Sequence, residues 1–566
     1  MDKKEIAAVL EEITVLLELA GENPFKARSY ASVAREIELL EEDIEVLAKE
    51  NRLREIKGVG EALESKLKEL VTTGRLQYYE NLRAKFPTTL FDLFAIPGLG
   101  PKRIKALYEE LGIASLGELE YACAENRLAG LKGFGAKMQQ RVLEGIAFAK
   151  KHRGTHLVNH AANEANALYA WLDVDKIAVR MAVAGSLRRR KEVIRDIDIL
   201  ASAEEGSKLM ERFVGFERVE RVTGRGPTKS SVVLRSGIAA DLRVVADGEF
   251  APALAYFTGS KEHNVVMRQR ARERGLKLNE YGLFRGEERI ACPDEASIYA
   301  RLDLPYIPPE LRENMGEFHS PIPELVEQKD LVGVFHCHSS YSDGVASVAQ
   351  MAEAAQARGY GYLALADHSQ SAGYAGGLSP EAVTRQHAEI DSLNRRLKNF
   401  RILKGIESDI RADGTLDYNE DVLQQFELVI ASVHSRMGMT EKDATRRIVK
   451  AVENPYTTIL GHPTGRLLLS RAGYPLDMSE VIAACAANGV AIEINANPHR
   501  LDLDWRYVRR AKEAGVKLCI GPDAHRPEGL GDVTYGLGIA RKGWLEPHDL
   551  LNCMTLEEFL AWQRPK

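Results

Sequence analysis

Asp196 and Asp198 are one residue apart in Arg195-Asp196-Ile197-Asp198-Ile199-Leu200, a run of strand character. On a strand the side-chain period is two, so both carboxylates point to one face. A second strand-like run, Ala240-Asp241-Leu242-Arg243, brings a third carboxylate. Three carboxylates converging on one spot repel each other unless cations lie among them. That is the layout of two-metal phosphoryl transfer with Mg²⁺ or Mn²⁺. Upstream, Gly185-Ser186-Leu187-Arg188-Arg189 offers a glycine turn, a hydroxyl and guanidinium forks suited to a triphosphate.

A second group lies far downstream. Nine of the 14 histidines follow Phe335. His336, His338, Asp343, His368, Glu407, His434, His462, Asp523 and His525 nearly all fall at or just past the end of a strand-like run. These runs are 331–335, 362–366, 402–406, 428–432, 458–461, 490–494 and 517–521, separated by helical stretches such as 348–358 and 380–398. Alternating strands and helices predict a parallel barrel, whose strand ends gather on one rim. A lone histidine at a strand end is usually a hydrogen-bonded core residue, but so many coincidences on one rim are not explained that way. Nine donors exceed what one ion takes. Imidazole and carboxylate together suit three divalent ions of zinc, manganese or iron type. His387, His499 and His548 have no such placement and read as structural or exposed.

The elements ahead of these sites fall into blocks. Up to about residue 150 the periodicity is helical, as at Ile6, Val9, Leu10, Ile13, Leu16 and Leu17. From 151 to 250 strand-like runs appear at 177–184, 197–201, 231–234 and 242–245. The proline-rich stretch 304–323 reads as a linker. Within the helical block three GxG elements recur: Gly58-Val59-Gly60, Gly98-Leu99-Gly100 and Gly133-Phe134-Gly135. Each has a hydrophobic residue two positions before its first glycine and an amphipathic helix after its second. Glycines at a helix N-terminus let backbone N–H groups approach a phosphate. One such element is more often a plain turn. Three in the same context resemble helix–hairpin–helix elements, which hold the DNA backbone without reading bases.

Tyr256-Phe257-Thr258-Gly259-Ser260, then Asn264 and Arg268, completes a pattern with the GS turn and the three aspartates. Together these motifs resemble the X family of DNA polymerases, whose familiar member is polymerase beta, over residues 1 to about 315. The resemblance implies that Asp196, Asp198 and Asp241 hold two metals, with Asp241 helping to activate the primer 3′ hydroxyl. It also implies that Gly185, Ser186 and Arg189 meet the triphosphate, and that Tyr256, Phe257 and Gly259 pack on its sugar. Asn264 would meet the incoming base and Arg268 the template side. Arg195 departs from the pattern, since the family often has glycine there. Lys66 stands where lyase members carry a Schiff-base lysine. Asn23 and Ala62 replace the basic groups those members use for a 5′ phosphate, so a helix-surface lysine is the preferred reading.

Residues 331 to 566 resemble the PHP (polymerase and histidinol phosphatase) domain, with all nine ligand positions filled. By that resemblance His336, His338, Glu407 and Asp523 bind one metal. Glu407 bridges to a second, held by His434 and His462, and Asp343, His368 and His525 bind the third. Arg466 could clamp a phosphate, although a surface arginine is an equal reading.

The expected fold is thus multidomain α+β. Helical helix–hairpin–helix domains (1–85 and 86–150) precede a nucleotidyltransferase palm (151–250) and thumb (251–315). A linker (316–330) leads to a seven-stranded (β/α) PHP barrel (331–566). The expected function is gap-filling DNA synthesis of the base excision repair type, using DNA and dNTP, with the barrel acting as a 3′–5′ exonuclease or 3′-end phosphoesterase. Two rivals are a barrel acting on a small phosphomonoester and a DNA-binding scaffold with an inactive site.

Bulk properties set limits. A chain of 566 residues must fold as several domains. Net charge −6 excludes a passive cationic coat, so DNA contacts must come from local patches. The candidates are Arg188 to Lys191, then Arg221, Arg225 and Lys229, then Arg268, Arg270, Arg272 and Arg274, each of which alone reads equally as a solvated face. The six cysteines form no CxxC pair, which argues against a disulfide frame or thiolate zinc site. No apolar run is membrane-spanning and the N-terminus lacks a signal-peptide layout. The expectation is a monomer in the cytoplasm.

Overall fold

The computed structural model describes residues 3–563 apart from 39, 41, 43, 97 and 151–153. Met1, Asp2, Pro97 of the second GxG element and the expected boundary at 151 therefore lie outside the described residues. The chain divides into two compact units, one of residues 1–123 and 128–149, the other of 124–127 and 150–566.

The first unit is helical. Helices Lys3–Leu19 and Pro24–Glu38 bury Ile6, Leu10, Ile13 and Leu17 against Val33 and Ile37. The three GxG elements share one geometry. Gly58, Gly98 and Gly133 have φ of +92°, +88° and +90°, a left-handed backbone that glycine enters freely. The residue after each is buried (Val59, Leu99, Phe134) and closes a turn, donating to Ile56, Ile96 and Leu131 respectively at 3.1 Å. Helices Glu61–Thr73, Pro101–Leu111 and Ala136–Lys150 then begin.

In the second unit, the palm is a five-stranded mixed sheet. Its spatial order is Arg180–Val183, Asp196–Ser202, Ala239–Val245, Lys229–Leu234, Val219–Arg225. The last of these, absent from the sequence expectation, has mostly exposed residues and so no clean alternation to betray it. Helices Phe250–Thr258 and Lys261–Glu273, with a small antiparallel sheet of Lys277–Asn279, Gly282–Arg285 and Glu288–Ile290, form the thumb.

The barrel strands are all parallel. Gly333–Cys337, Tyr362–Leu365 and Arg401–Leu403 make one sheet. Gly405–Asp409, Leu428–Ser432, Ile459–Leu460, Ala491–Asn495 and Leu518–Gly521 make the other. The third expected strand is thus broken at Lys404 and serves both sheets. The ring is joined by bridges between His368 and Glu407 and between Cys337 and Ala524.

The proline-rich linker is no loose tether. Ile307, Leu311, Leu325 and Val326 are buried, and Arg312 is fully enclosed with its guanidinium on Glu295, 2.6 Å away. One continuous apolar core runs from the palm, through Val326 and Leu331, into the barrel. Among the described residues no helix is long and apolar enough to cross a membrane.

Candidate active sites

The palm strands carrying the aspartates pair in parallel, with Asp198 directly opposite Asp241 and Asp196 opposite Ala239. The three carboxylates therefore share one face at one end of the sheet. Asp198 is pushed up to about 6 by burial and then by the charges of Asp196 and Asp241. Lys229, on the neighbouring strand, places Nζ 2.6 Å from Asp241 Oδ2. Gly185 has φ +64°, and a β-carbon there would fall 2.1 Å from Asp198 Oδ2. The GS turn is thus pressed onto the carboxylates, where any other residue would displace one.

Arg189 is fixed from two sides. Its Nη1 donates to the carbonyls of Thr258 and Gly259, each at 2.6 Å, and its Nε lies 3.2 Å from Glu313 Oε1. Arg188 forms a two-point pair with Glu295 at 3.0 and 2.6 Å. Arg188 and Arg189 of the basic run therefore join palm and thumb. Tyr256, Asn264 and Arg268 line one pocket, and Asn264 Nδ2 donates to Tyr256 O at 2.7 Å. Gly259 admits Asn264, since a β-carbon there would lie 2.3 Å from Asn264 Oδ1. Phe257 stands edge-on to Tyr256 but lines a different cleft, beneath the Arg243 guanidinium. Arg195 is exposed, without a hydrogen-bond or ion-pair partner among the described residues. It lines a cleft of about 590 Å³ with Ser186, Lys191 and Asp196, whose far wall is Arg466, Asp504 and Arg506 of the barrel. Arg466 is occupied by Asp504 at 2.6 Å and by the carbonyls of Arg500 and Leu501. Its geometry favours a structural tie over a free phosphate clamp.

All nine barrel residues meet. Glu407 is central: its Oε1 lies 2.9 Å from His462 Nε2, 3.2 Å from His434 Nε2 and 3.3 Å from His336 Nε2. Its Oε2 lies 3.0 Å from His368 Nδ1. Asp523 Oδ1 is 3.2 Å from His338 Nε2, and Asp343 is 3.2 Å from His525 Nε2 and 3.5 Å from His368 Nε2. Overlapping donor groups arise, among them His338, Asp343, His368 and His525; His336, His338 and Glu407; His336, His462 and Asp523; and His368, Glu407 and His434. His338 thus stands between two groups, and His462, in contact with Glu407, also shares a donor group with Asp523.

Donor chemistry fits divalent cations. His336 Nε2, His338 Nδ1, Asp343 Oδ2, His368 Nδ1, Glu407 Oε2, His462 Nδ1 and His525 Nε2 are buried atoms without a directed hydrogen bond, several of them facing one another only at ion-pair distance, and groups left so are costly unless an ion completes them. His336, His462 and Asp523 hold φ of +57°, +23° and +53°, strained backbone of the kind that collects at functional sites. Burial lowers His462 to about 4, the Arg500 charge adding to it. Burial also opposes charge on His434, yet Glu407 and Asp409 raise it to about 9.

Supporting residues escaped the sequence reading. Glu493 Oε1 is 2.5 Å from His336 Nδ1, and its Oε2 accepts the His462 N–H at 2.7 Å. Asp409 Oδ1 is 2.5 Å from His434 Nδ1. Such partners fix ring orientation and raise ligand basicity. The available signal was spacing: Glu493 and Asn495 share a strand face, and Asp409 lies two residues beyond Glu407 on its strand.

In the first unit, Lys66 Nζ donates to the Tyr30 hydroxyl at 2.7 Å and lies 4.0 Å from the Tyr78 ring centroid. Burial and then Lys26 lower its pKa. It is a half-buried lysine on helix Glu61–Thr73, held by a phenol hydroxyl.

Family models match at four places: DNA polymerase beta thumb at 253–313, helix-hairpin-helix domain at 1–76, SAM-like helix-hairpin-helix tandem at 91–147 and PHP domain at 335–497. A probable phosphatase of Thermoanaerobacter sp. (strain X514) is 27% identical over 244 residues, covering 41% of this chain and 95% of its own. A polymerase beta of Leishmania infantum, solved as a ternary P/T complex, is 23% identical, covering 40% of this chain and 98% of its own. At a TM-score of 0.27 that likeness bears no weight. The DNA polymerase/3′-5′ exonuclease PolX of Bacillus subtilis (strain 168) is 39% identical over 568 residues, covering 99% of each chain. With helix–hairpin–helix, thumb and PHP segments all present in that order, the chain belongs to the PolX family, X-family DNA polymerases that carry a PHP domain.

Proposed function

We propose that the chain fills short gaps in damaged DNA with its palm and trims or cleans the 3′ end with its barrel. The observation that carries this reading is the Asp198–Asp241 register, which aims three carboxylates at one point beside the GS turn. Asp196, Asp198 and Asp241 hold Mg²⁺ or Mn²⁺. Ser186 and Arg189 hold the triphosphate, Tyr256 and Gly259 face the sugar, Asn264 the base and Arg268 the template. Divalent cations bound at either site supply charge neutralisation at phosphorus. Asp241, whose Oδ2 lies 2.6 Å from Lys229 Nζ, would accept the proton of the primer hydroxyl.

The helix–hairpin–helix turns hold DNA by its backbone. A β-carbon on Gly60, Gly100 or Gly135 would meet nothing within 4 Å, and Gly60 and Gly100 have extended φ that any residue adopts. The fold does not demand glycine at these positions, whereas close approach of a phosphate does.

In the barrel, the donors hold up to three divalent ions of zinc, manganese or iron type. Glu493 and Asp409 orient His336 and His434, and burial of the cluster excludes bulk water. The full-length match to a relative named DNA polymerase/3′-5′ exonuclease favours a DNA 3′ end over a small phosphomonoester. A gapped, 3′-labelled duplex assayed with Mn²⁺, with and without dNTPs, reads both sites. Asp196→Ala is expected to abolish extension and His336→Ala to abolish 3′ hydrolysis. Extension surviving the first change, or faster hydrolysis of a small phosphomonoester than of DNA by the wild type, overturns the corresponding half.

A further inference from the structure

Helix Val533–Lys542 belongs to the barrel, yet its last residue serves the polymerase half. The Lys542 side chain has no solvent exposure. Its ammonium donates to Glu313 Oε1 at 2.8 Å, Arg189 O at 3.0 Å and Glu310 O at 3.2 Å. An ammonium has three donors, and here each finds an acceptor. None of the three acceptors belongs to the barrel. One is the backbone of the GS-turn segment itself, and two lie at the C-terminal end of the thumb.

Glu313 carries the contact onward. The carboxylate that accepts from Lys542 also takes Arg189 Nε at 3.2 Å, and Lys191 Nζ is 3.6 Å away. Burial disfavours its charge, but Lys542 and Arg189 hold it below the usual carboxylate range. Lys542 thus grips Arg189 twice, once through its carbonyl and once through the carboxylate on its guanidinium. The rest of the helix presses on the same segment. Arg541 Nε is 2.8 Å from Glu310 Oε1, and a β-carbon on Gly538 would lie 3.1 Å from Arg190 Cβ. A buried ammonium is expensive to desolvate, and an apolar side chain of similar volume would often serve stability as well or better. Stability alone therefore does not account for a lysine here, whereas geometry at Arg189 does.

We propose that Lys542 is a positioning residue of the polymerase site: the hydrolase barrel, through Lys542 and Glu313, sets the segment that presents Ser186 and Arg189 to the incoming triphosphate. The barrel is then a working part of the nucleotide pocket. This rests on the reading of Arg189 as a triphosphate contact.

Steady-state single-nucleotide gap filling by the full chain tests it, comparing wild type, K542M, E313Q, R189A and K542M/R189A. K542M is expected to raise the KM for dNTP about tenfold, by more than it lowers kcat. In the R189A background the same change is expected to add about twofold or less, because the group it positions is gone. E313Q, which keeps size and removes the shared charge, carries the same expectation should K542M not fold. Unchanged KM in variants that melt like wild type, or an equal multiplicative rise with and without Arg189, overturns the inference. Unchanged KM in R189A overturns the reading of Arg189 itself, and the lever with it.

Discussion

Gly185 stands so close to Asp198 that a β-carbon on it would fall 2.1 Å from the carboxylate oxygen Oδ2. The turn that offers Ser186 and the carboxylate that offers a metal ligand are thus one rigid object. Its backbone φ of +64° adds a second reason for glycine. Gly185→Ala should lower extension by about 100-fold, the order expected when a catalytic group is misplaced by about 1 Å. It should also cost roughly 1–2 kcal/mol of stability from left-handed alanine. Gap-filling rates alongside thermal melting check this; extension within a few-fold of wild type would show that Asp198 moves aside freely.

The raised pKa of Asp198, about 6, gives the polymerase a pH signature. Protons compete with the cation for this carboxylate. The metal concentration for half-maximal extension should rise as pH falls through about 6, approaching tenfold per pH unit below it. For stability the sign is that of a carboxyl raised by folding. Protonation favours the fold fully below the unfolded pKa of about 3.9, and that benefit is lost as pH rises through about 6. Asp198→Asn should therefore raise the melting temperature of metal-free protein at pH 8, with the gain shrinking toward pH 4. A metal titration that is flat between pH 8 and pH 5 contradicts both statements.

Glu493 holds His336 by its ring and His462 by its backbone. Glu493→Gln should weaken metal retention in the barrel by about 10- to 100-fold, as loss of an outer partner commonly does. Metal analysis after dialysis against a weak chelator, together with 3′-end hydrolysis, measures the change. Full retention of metal would reduce Glu493 to a packing residue.

Alanine at Gly60, Gly100 and Gly135 meets no steric obstacle within the protein. The triple substitution should leave melting unchanged or slightly higher, through a stiffer unfolded chain. Binding of gapped duplex should nonetheless weaken, by about tenfold, if the three backbones approach phosphate closely. Fluorescence anisotropy at fixed salt decides; unaltered affinity removes these turns from the DNA interface.

Lys66 is half-buried with its pKa lowered, and both favour an amine that attacks a carbonyl. Borohydride trapping on an incised abasic duplex should yield a covalent adduct that Lys66→Ala loses and that Tyr30→Phe weakens. An adduct of equal yield in Lys66→Ala places the nucleophile elsewhere.

Residue type and local period already determined a great deal. Asp196 and Asp198 share a face because a strand has period two. The nine barrel donors could be named because strand ends of a parallel barrel converge. Glycine repeats announced the hairpin turns because only glycine enters a left-handed backbone freely. Pairing across long separations was decided by tertiary structure alone. Arg188 meets Glu295, Arg189 meets Glu313 and Lys542 meets Arg189, and no local pattern relates residues so far apart in the chain. The same holds for Glu493 beneath His336, for the break at Lys404, and for a proline-rich segment that packs instead of swinging. Chemistry dictates which side chains a site requires, and so leaves a mark on the sequence. Which buried charges face each other, and which donors share an ion, depends on how the strands and helices close around them.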